Sequence, residues 1–256
     1  MAIATGVARR PRAYVRVQGP DAEDFLQRML SNDVSAETCD ALLLTPKARV
    51  IAPLRVWRRG PDDFLLLTEP ELGEVVRAAL LRARFAAKCE VDPEEHTSSI
   101  VFGGTEGIPT ADYGMPAVEV LDDPAEPTME DDELEMLRIT AGTPRFGREI
   151  DDRVLPAEAG LVERAVSFTK GCFPGQEPIA RLHYRGHANR GLRVLTWEGT
   201  ELPEYDAPVS YGGKEVGRVT SAARDGDRIV GLAYVRVGVP SDAEVAVGTV
   251  TARPLN

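Results

Sequence analysis

The sequence predicts an α+β fold followed by a separate small β barrel, and two observations carry that prediction. The first third of the chain reads β-α-β-β-β-α-β, without the regular strand–helix alternation of a parallel sheet. After Arg190 the texture changes to short strands divided by Gly-containing turns. With 256 residues, 43% of them hydrophobic, the chain has material for more than one core.

The elements follow in order. AYVRVQ (13–18) alternates like a half-buried strand. GPDAEDFLQRMLSND then reads as a turn and a helix with Phe25, Leu26, Met29 and Leu30 on one face, stopping near Asn32. Residues 41–46, 49–59 and 63–69 read as strands, with RRGPDD as a hairpin-type turn between the last two. Leu72, Val75, Val76, Ala79 and Leu80 have helical spacing, and AKCEVDP returns to strand. HTSSIVFGG and PAVEVLDD suggest further strands on either side of GGTEG, a turn too short and badly placed to cradle phosphate. EDDELEMLRITAGTP is a helix ending near Gly142, and Arg145 to Val166 is loop-like. GQEPIARL opens a short helix with Gly175 near its N-cap and a proline in its first turn. GLRVLTWEG and the segments after it form the barrel or sandwich.

Charge limits the function classes. A net charge of −11 excludes a general nucleic-acid-coating role, so no direct nucleic-acid binding is expected. The distribution is uneven. Residues 122–135 carry eight carboxylates and no base, as a solvated linker into a helix start would, whereas 170–193 carries five Lys/Arg against the single Glu177. The basic stretch suits an anionic ligand or a solvated surface helix. No run approaches the roughly 18 apolar residues of a membrane span, and MAIATGVARRPRAYV has no apolar signal core, so the expected location is the cytoplasm. Cys39, Cys89 and Cys172 are odd in number and far apart, as reduced thiols are. Cys39 sits in a loop-like segment and Cys89 in a strand-like one.

The chemistry concentrates in KGCFPGQEPIARLHYRGHANR, residues 170–190. Cys172 lies in a polar, turn-rich setting, where Lys170 and a helix start near Gly175 would favour the thiolate. His183 and His187 are four apart and, on one helix face with Cys172, would supply three metal ligands. Gly186 argues that the helix has ended by then, and no fourth ligand is evident, so no metal site is expected. Spacing alone leaves a reactive thiol, a structural cysteine and a surface loop open. A serine hydrolase is disfavoured by the absence of a GxSxG elbow. Glu158, in PAEAGL, is a lone carboxylate amid small and apolar residues. It needs either an arginine or a ligand with paired donors, such as the two adjacent N–H groups of a pterin.

Taken in order, QGPDAEDFLQRMLSNDV, LLLTPKARV, LRITAGTPRFGREIDDRVLPAEAGL and SFTKGCFPGQEPIARLHYRGHANRGL resemble the YgfZ family, folate-binding relatives of the glycine-cleavage T-protein (aminomethyltransferase). The resemblance spans most of the chain and is most specific at the signature K-G-C-[YF]-x-G-Q-E, here Lys170, Gly171, Cys172, Phe173, Gly175, Gln176 and Glu177.

That resemblance implies a T-protein-like arrangement of two interlaced α+β portions, 1–125 and 126–190, around a central tetrahydrofolate pocket, with 191–256 as a C-terminal antiparallel β barrel. It implies that Glu158 holds the pterin, that Phe146 lies near it and that Arg190 belongs to the folate site, with Arg181 and Arg185 available to the anionic tail. Cys172 becomes a candidate for thiol or cluster-related chemistry. The T-protein aspartate that faces the reacting folate nitrogen has no counterpart, since this chain offers Ala52 and Pro53 there. The expected function is therefore a folate-binding accessory protein that supports iron–sulfur enzymes or their assembly factors, including those that modify tRNA, and without a membrane role. The alternatives are a tetrahydrofolate-dependent aminomethyl or methyl transferase or demethylase, using another carboxylate, and a ligand-independent scaffold or metal module.

Overall fold

The structure is a computed structural model and describes residues 6–122 and 125–255. Asp123 and Pro124 of the acidic run, and the first five residues of the N-terminal stretch, lie outside the described residues.

Two antiparallel sheets share the first half of the chain. The larger contains β2 (Ala13–Gln18), β3 (Thr38–Leu44), β4 (Val50–Gly60), β5 (Asp63–Thr68) and β6 (Glu90–Glu94), in the order β3-β4-β5-β2-β6. Helices α1 (Ala22–Met29) and α2 (Gly73–Ala83) cover one face of it. Phe25, Leu26, Val76 and Leu80 from the helices meet Val15, Val17, Leu54, Val56, Phe64 and Leu66 from the strands. Three expectations need correction. Val75 is turned outward and 45% exposed, although its spacing matched that of its buried neighbour Val76. The first helix stops before Asn32, because Leu30 leaves it in an extended conformation and pairs with Leu43. Cys39, expected in a loop, lies within β3.

The second sheet interlaces with the first. It contains β1 (Gly6–Arg9), β7 (Ser98–Phe102), β8 (Ile108–Thr110) and β9 (Ala117–Leu121), ordered β1-β7-β9-β8. The chain begins in this sheet, leaves to build the larger one, and returns so that Gly6 pairs with Phe102. Strand exchange thus falls within residues 6–121, while 126–190 contributes α3 (Asp131–Thr140), α4 (Val162–Ala165) and α5 (Gln176–Arg185). The short helix α4 interrupts the stretch from Arg145 to Val166 that the sequence presents as loop. β1 and β8 are four and three residues long, too short for a period-2 pattern to stand out.

The chain ends in a closed antiparallel barrel of β10 (Arg190–Glu198), β11 (Pro208–Tyr211), β12 (Lys214–Asp225), β13 (Arg228–Arg236), β14 (Val245–Val247) and β15 (Val250–Pro254). Closure removes the free edges that short strands would otherwise expose. The barrel is fastened to the rest through fully buried Glu149, which accepts hydrogen bonds from Ser221 of β12 at 2.7 Å and from Arg138 of α3 at 3.1 Å. The hydroxyl of Tyr234, on β13, donates to the Glu149 carbonyl oxygen at 2.8 Å.

Charged pins join the two sheets. Arg12, just before β2, donates twice to Glu119 of β9, both bonds at 3.0 Å, and the Glu119 side chain is fully buried. Burial opposes the charge on both groups, but their mutual attraction wins: the Glu119 pKa is lowered and that of Arg12 raised. His96 is held between Asp122 and Glu94 at 2.6 and 2.7 Å, one carboxylate on each ring nitrogen. Breaking a buried pair from one side strands the other charge. Arg12→Met is therefore expected to lower unfolding free energy by about 3–5 kcal/mol, and the double change Arg12→Met with Glu119→Leu to recover most of it. Denaturant unfolding of the three proteins checks this; equal stability of Arg12→Met and wild type would contradict it.

Candidate functional site

A cavity of about 80 Å³ lies where the two sheets, α4 and the middle segment meet. Its apolar wall includes Leu42, Leu54, Ile150 and Leu161, and its polar wall is a lattice of arginines and carboxylates. In the β3–β4 register Asp40 faces Arg55 and Leu42 faces Pro53. Since side chains alternate along a strand, Asp40, Leu42, Pro53 and Arg55 lie on one sheet face. The other sheet contributes Asp112, from the loop between β8 and β9, and α4 contributes Arg164.

These four residues neutralise one another. Arg55 donates to Asp40 through Nε at 3.0 Å and Nη2 at 2.9 Å, to the Pro109 carbonyl oxygen at 3.0 Å, and lies 3.6 Å from Asp112. Arg164 bridges the same acids, reaching Asp40 at 2.9 Å and Asp112 at 2.6 Å. Burial pushes the Asp112 pKa up, yet Arg55 and Arg164 outweigh it and hold the carboxyl at about 2. A carboxylate so placed stays ionised and is a poor proton acceptor near neutral pH.

The segment from Lys170 to Glu177 is clasped against this centre. Lys170 donates through Nζ to the carbonyl oxygens of Leu30 and Asn32, both at 2.7 Å, capping the chain where it leaves α1. Burial lowers the Lys170 pKa to about 8. Buried Ser31 donates to the Ala165 carbonyl oxygen at 2.6 Å and accepts the Leu42 amide at 2.7 Å, so the same turn holds β3 and α4. Phe173 is buried beside Leu42, Leu44 and Ala48. Gly175 is the N-cap of α5 with φ +83°, and a Cβ there would stand 2.7 Å from the Thr45 carbonyl oxygen. Only glycine permits both that conformation and that approach.

Cys172 is exposed in this clasp. The ammonium expected to favour its thiolate is committed to Leu30 and Asn32 instead, which corrects the sequence reading of Lys170. α5 ends at Arg185, so His183 and His187 do not share a helix face; His183 stacks on Phe168 with ring centroids 4.3 Å apart. Among the described residues no group of three His, Cys, Asp or Glu side chains is placed to hold a metal ion.

Glu158 and Arg190 come together. Arg190 donates through Nε to Glu158 Oε1 at 3.0 Å and through Nη2 to Oε2 at 3.3 Å, while the Leu155 amide donates to Oε2 at 3.0 Å. The Arg190 guanidinium lies over the Tyr234 ring at 5.1 Å. This pair stands on the barrel side of the central cavity and is not among its lining residues. Phe146 is half-buried against the two cores beside the cavity. Arg181 and Arg185 line a different groove, of about 380 Å³, whose walls are Leu155–Ala157 and α5. The residues from sequence thus fall into four groups: Glu158 with Arg190, Phe146 beside the cavity, the exposed Cys172, and Arg181 with Arg185 at the outer groove.

Sequence reasoning missed Asp40, Arg55, Asp112, Arg164 and Tyr234. Asp40 carries a legible signal, since it holds the phase of Leu42 and Leu44 in an otherwise apolar strand. Asp112 and Arg164 lie in short connections that only the tertiary fold brings together.

The lattice predicts a pH response. A folded-state pKa near 2, against about 3.9 for a free aspartate, contributes stability that is present above about pH 4 and lost as pH falls towards 2. Carboxyl-carbon NMR should find Asp112 ionised at about pH 3, with its midpoint raised in Arg164→Gln; an ordinary midpoint in wild type would contradict the lattice.

Comparison with known proteins bears on this geometry. No family model matches the chain. An uncharacterized protein of Haemophilus influenzae is 28% identical over 247 residues, covering 90% of this chain and 87% of its own. The tRNA-modifying protein YgfZ of Escherichia coli O157:H7 is 25% identical over 278 residues, covering 91% and 84%. The crystal structure of glycine cleavage system aminomethyltransferase T from Bartonella henselae superposes with a TM-score of 0.80 at 20% identity, covering 98% of this chain and 85% of that one. The resemblance seen in the sequence, the interlaced sheets and the closed barrel agree with these comparisons: the chain is similar to YgfZ over about nine tenths of its length and has the aminomethyltransferase, or T-protein, fold.

Proposed function

We propose that this protein binds tetrahydrofolate as an accessory factor and does not transfer aminomethyl groups. The observation that carries the proposal is the central cavity's polar wall. Pro53 lies where the resemblance expects an aspartate, and the nearby carboxylates of Asp40 and Asp112 are neutralised by Arg55 and Arg164. An aminomethyl transfer that builds positive charge at a folate nitrogen needs a free carboxylate opposite it, and loss of such electrostatic support costs orders of magnitude in rate.

The donor set fits a reduced folate in part. Glu158 lies outside the cavity lining, paired with Arg190, and its Oε1, which accepts one bond there, keeps acceptor capacity for a pterin N–H. The apolar wall suits a flat ring, and Arg181 and Arg185 present guanidinium groups to an anionic tail. The cavity's 80 Å³ falls short of the roughly 300 Å³ at the small end of ligand sites, so occupancy requires its walls to move apart. The supporting role towards iron–sulfur enzymes and their assembly factors, in the cytoplasm, rests on the YgfZ resemblance. The name tRNA-modifying protein, carried by the Escherichia coli relative, supports a link to tRNA modification. In this reading Cys172 is the exposed thiol that meets the client, and replacing it should leave folate binding intact.

The second reading, a folate-dependent one-carbon transferase or demethylase, is favoured by the aminomethyltransferase fold itself. It requires Asp40 or Asp112 to be freed from its arginines.

Calorimetric titration with tetrahydrofolate tests the proposal. Wild type and Cys172→Ala should bind alike, and Glu158→Ala about tenfold or more weaker, the loss expected for a hydrogen bond to a charged group. Unchanged affinity in Glu158→Ala, with thermal unfolding like wild type, would remove Glu158 from the site. In cells lacking the cognate protein Cys172→Ala should fail to complement; full complementation would remove the thiol from the function.

A further inference from the structure

Helix α5 carries a cluster of rings that the folate reading leaves unexplained, beside the two arginines that reading offers to the folate tail. Phe168, His183 and Tyr184 form one cluster of rings: Phe168 and His183 stack at 4.3 Å with planes 21° apart, and Tyr184 lies edge-on to both at 5.6 and 4.8 Å. Tyr184 is 67% exposed. Phe168 is half-buried against the core and anchors the exposed His183 and Tyr184 rings, and an aromatic ring this open is unusual in a chain that has only 6% aromatic residues.

The same helix presents Arg181 and Arg185, one turn apart and both exposed. Most of the protein's arginines are locked to carboxylates, whereas these two have no ion-pair partner among the described residues. Glu177 is the only acid between residues 170 and 193. Net charge decides whether a protein coats a polyanion, but a small local patch decides whether it grips a few phosphates, so −11 overall does not oppose a local contact. A ring platform beside unpaired guanidinium groups matches a nucleic-acid single strand, which offers π-faces and phosphates at alternate positions. An acidic peptide would use the arginines and leave the rings idle. A duplex hides its base faces.

We infer that the α5 face is a docking surface for single-stranded nucleic acid, with a base stacked on Tyr184 and backbone phosphates paired with Arg181 and Arg185. This goes beyond the folate reading and does not depend on it, so the test is run without folate. Fluorescence anisotropy of the full-length protein is measured with labelled RNA and DNA single strands of about 12 nucleotides, with the matching duplex, and with a polyglutamate peptide. At about 50 mM salt a single strand should bind more tightly than duplex or peptide. Tyr184→Ala should weaken it about tenfold or more, the effect of losing one stacked base. Arg181→Ala with Arg185→Ala should flatten the slope of log K against log salt by about 1.4, two phosphates' worth for a single strand. Both variants alter exposed side chains and should unfold at the wild-type temperature. The inference is overturned by no single-strand binding, by affinity unchanged in Tyr184→Ala, or by equal binding of duplex or polyglutamate.

Discussion

The structure turns on four side chains, Asp40, Arg55, Asp112 and Arg164, which meet where the two sheets and α4 come together. Arg55 is buried and the other three are half-buried, so each charge needs a partner, and here each arginine serves both aspartates. The requirement works as a register device: β3, β4, the β8–β9 loop and α4 must all arrive correctly for all four charges to be satisfied. The same constraint sets the chemistry. A carboxylate bound to two guanidinium groups is a fixed counter-ion and a poor base.

Around this lattice the Lys-Gly-Cys segment acts mainly as a clasp. Lys170 caps the carbonyls after α1, Phe173 enters the core, and Gly175 lets the start of α5 sit against the backbone of the β3–β4 turn. What the clasp leaves outside is Cys172 and the exposed face of α5. Residues conspicuous in sequence thus divide between holding the segment and presenting its outer surface. Glu158 and Arg190 form a further unit, tied to the barrel through Tyr234.

How much of this was legible depended on the range of the interaction. Long periodic segments were readable: β2, β4, β5 and α3 lie where alternation or helical spacing puts them, because local pattern and tertiary burial agree there. Val75 was not, since two adjacent valines at helical spacing cannot both face a narrow core. β1 and β8 were too short to announce themselves, and β1 finds its partner β7 only across the whole larger sheet. At the site, Glu158 and Arg190 could be named from the motif, and their contact could be guessed from the need to pair a lone acid. The cavity lattice could not, because its members come from four elements and only Asp40 is unusual in its own neighbourhood. Lys170 was misjudged for a related reason: two residues of sequence separation from Cys172 said nothing about which way a long side chain would reach.

The central claim is that this fold keeps a folate site without the transfer chemistry. The most direct measurement follows methylene- or methyl-tetrahydrofolate while the protein is incubated with tetrahydrofolate and candidate amine or methylated donors. Binding without sustained product formation is the predicted result. Continued turnover by the wild-type protein, abolished in Asp40→Asn or Asp112→Asn, would contradict the account and make the neutralised carboxylates catalytic after all.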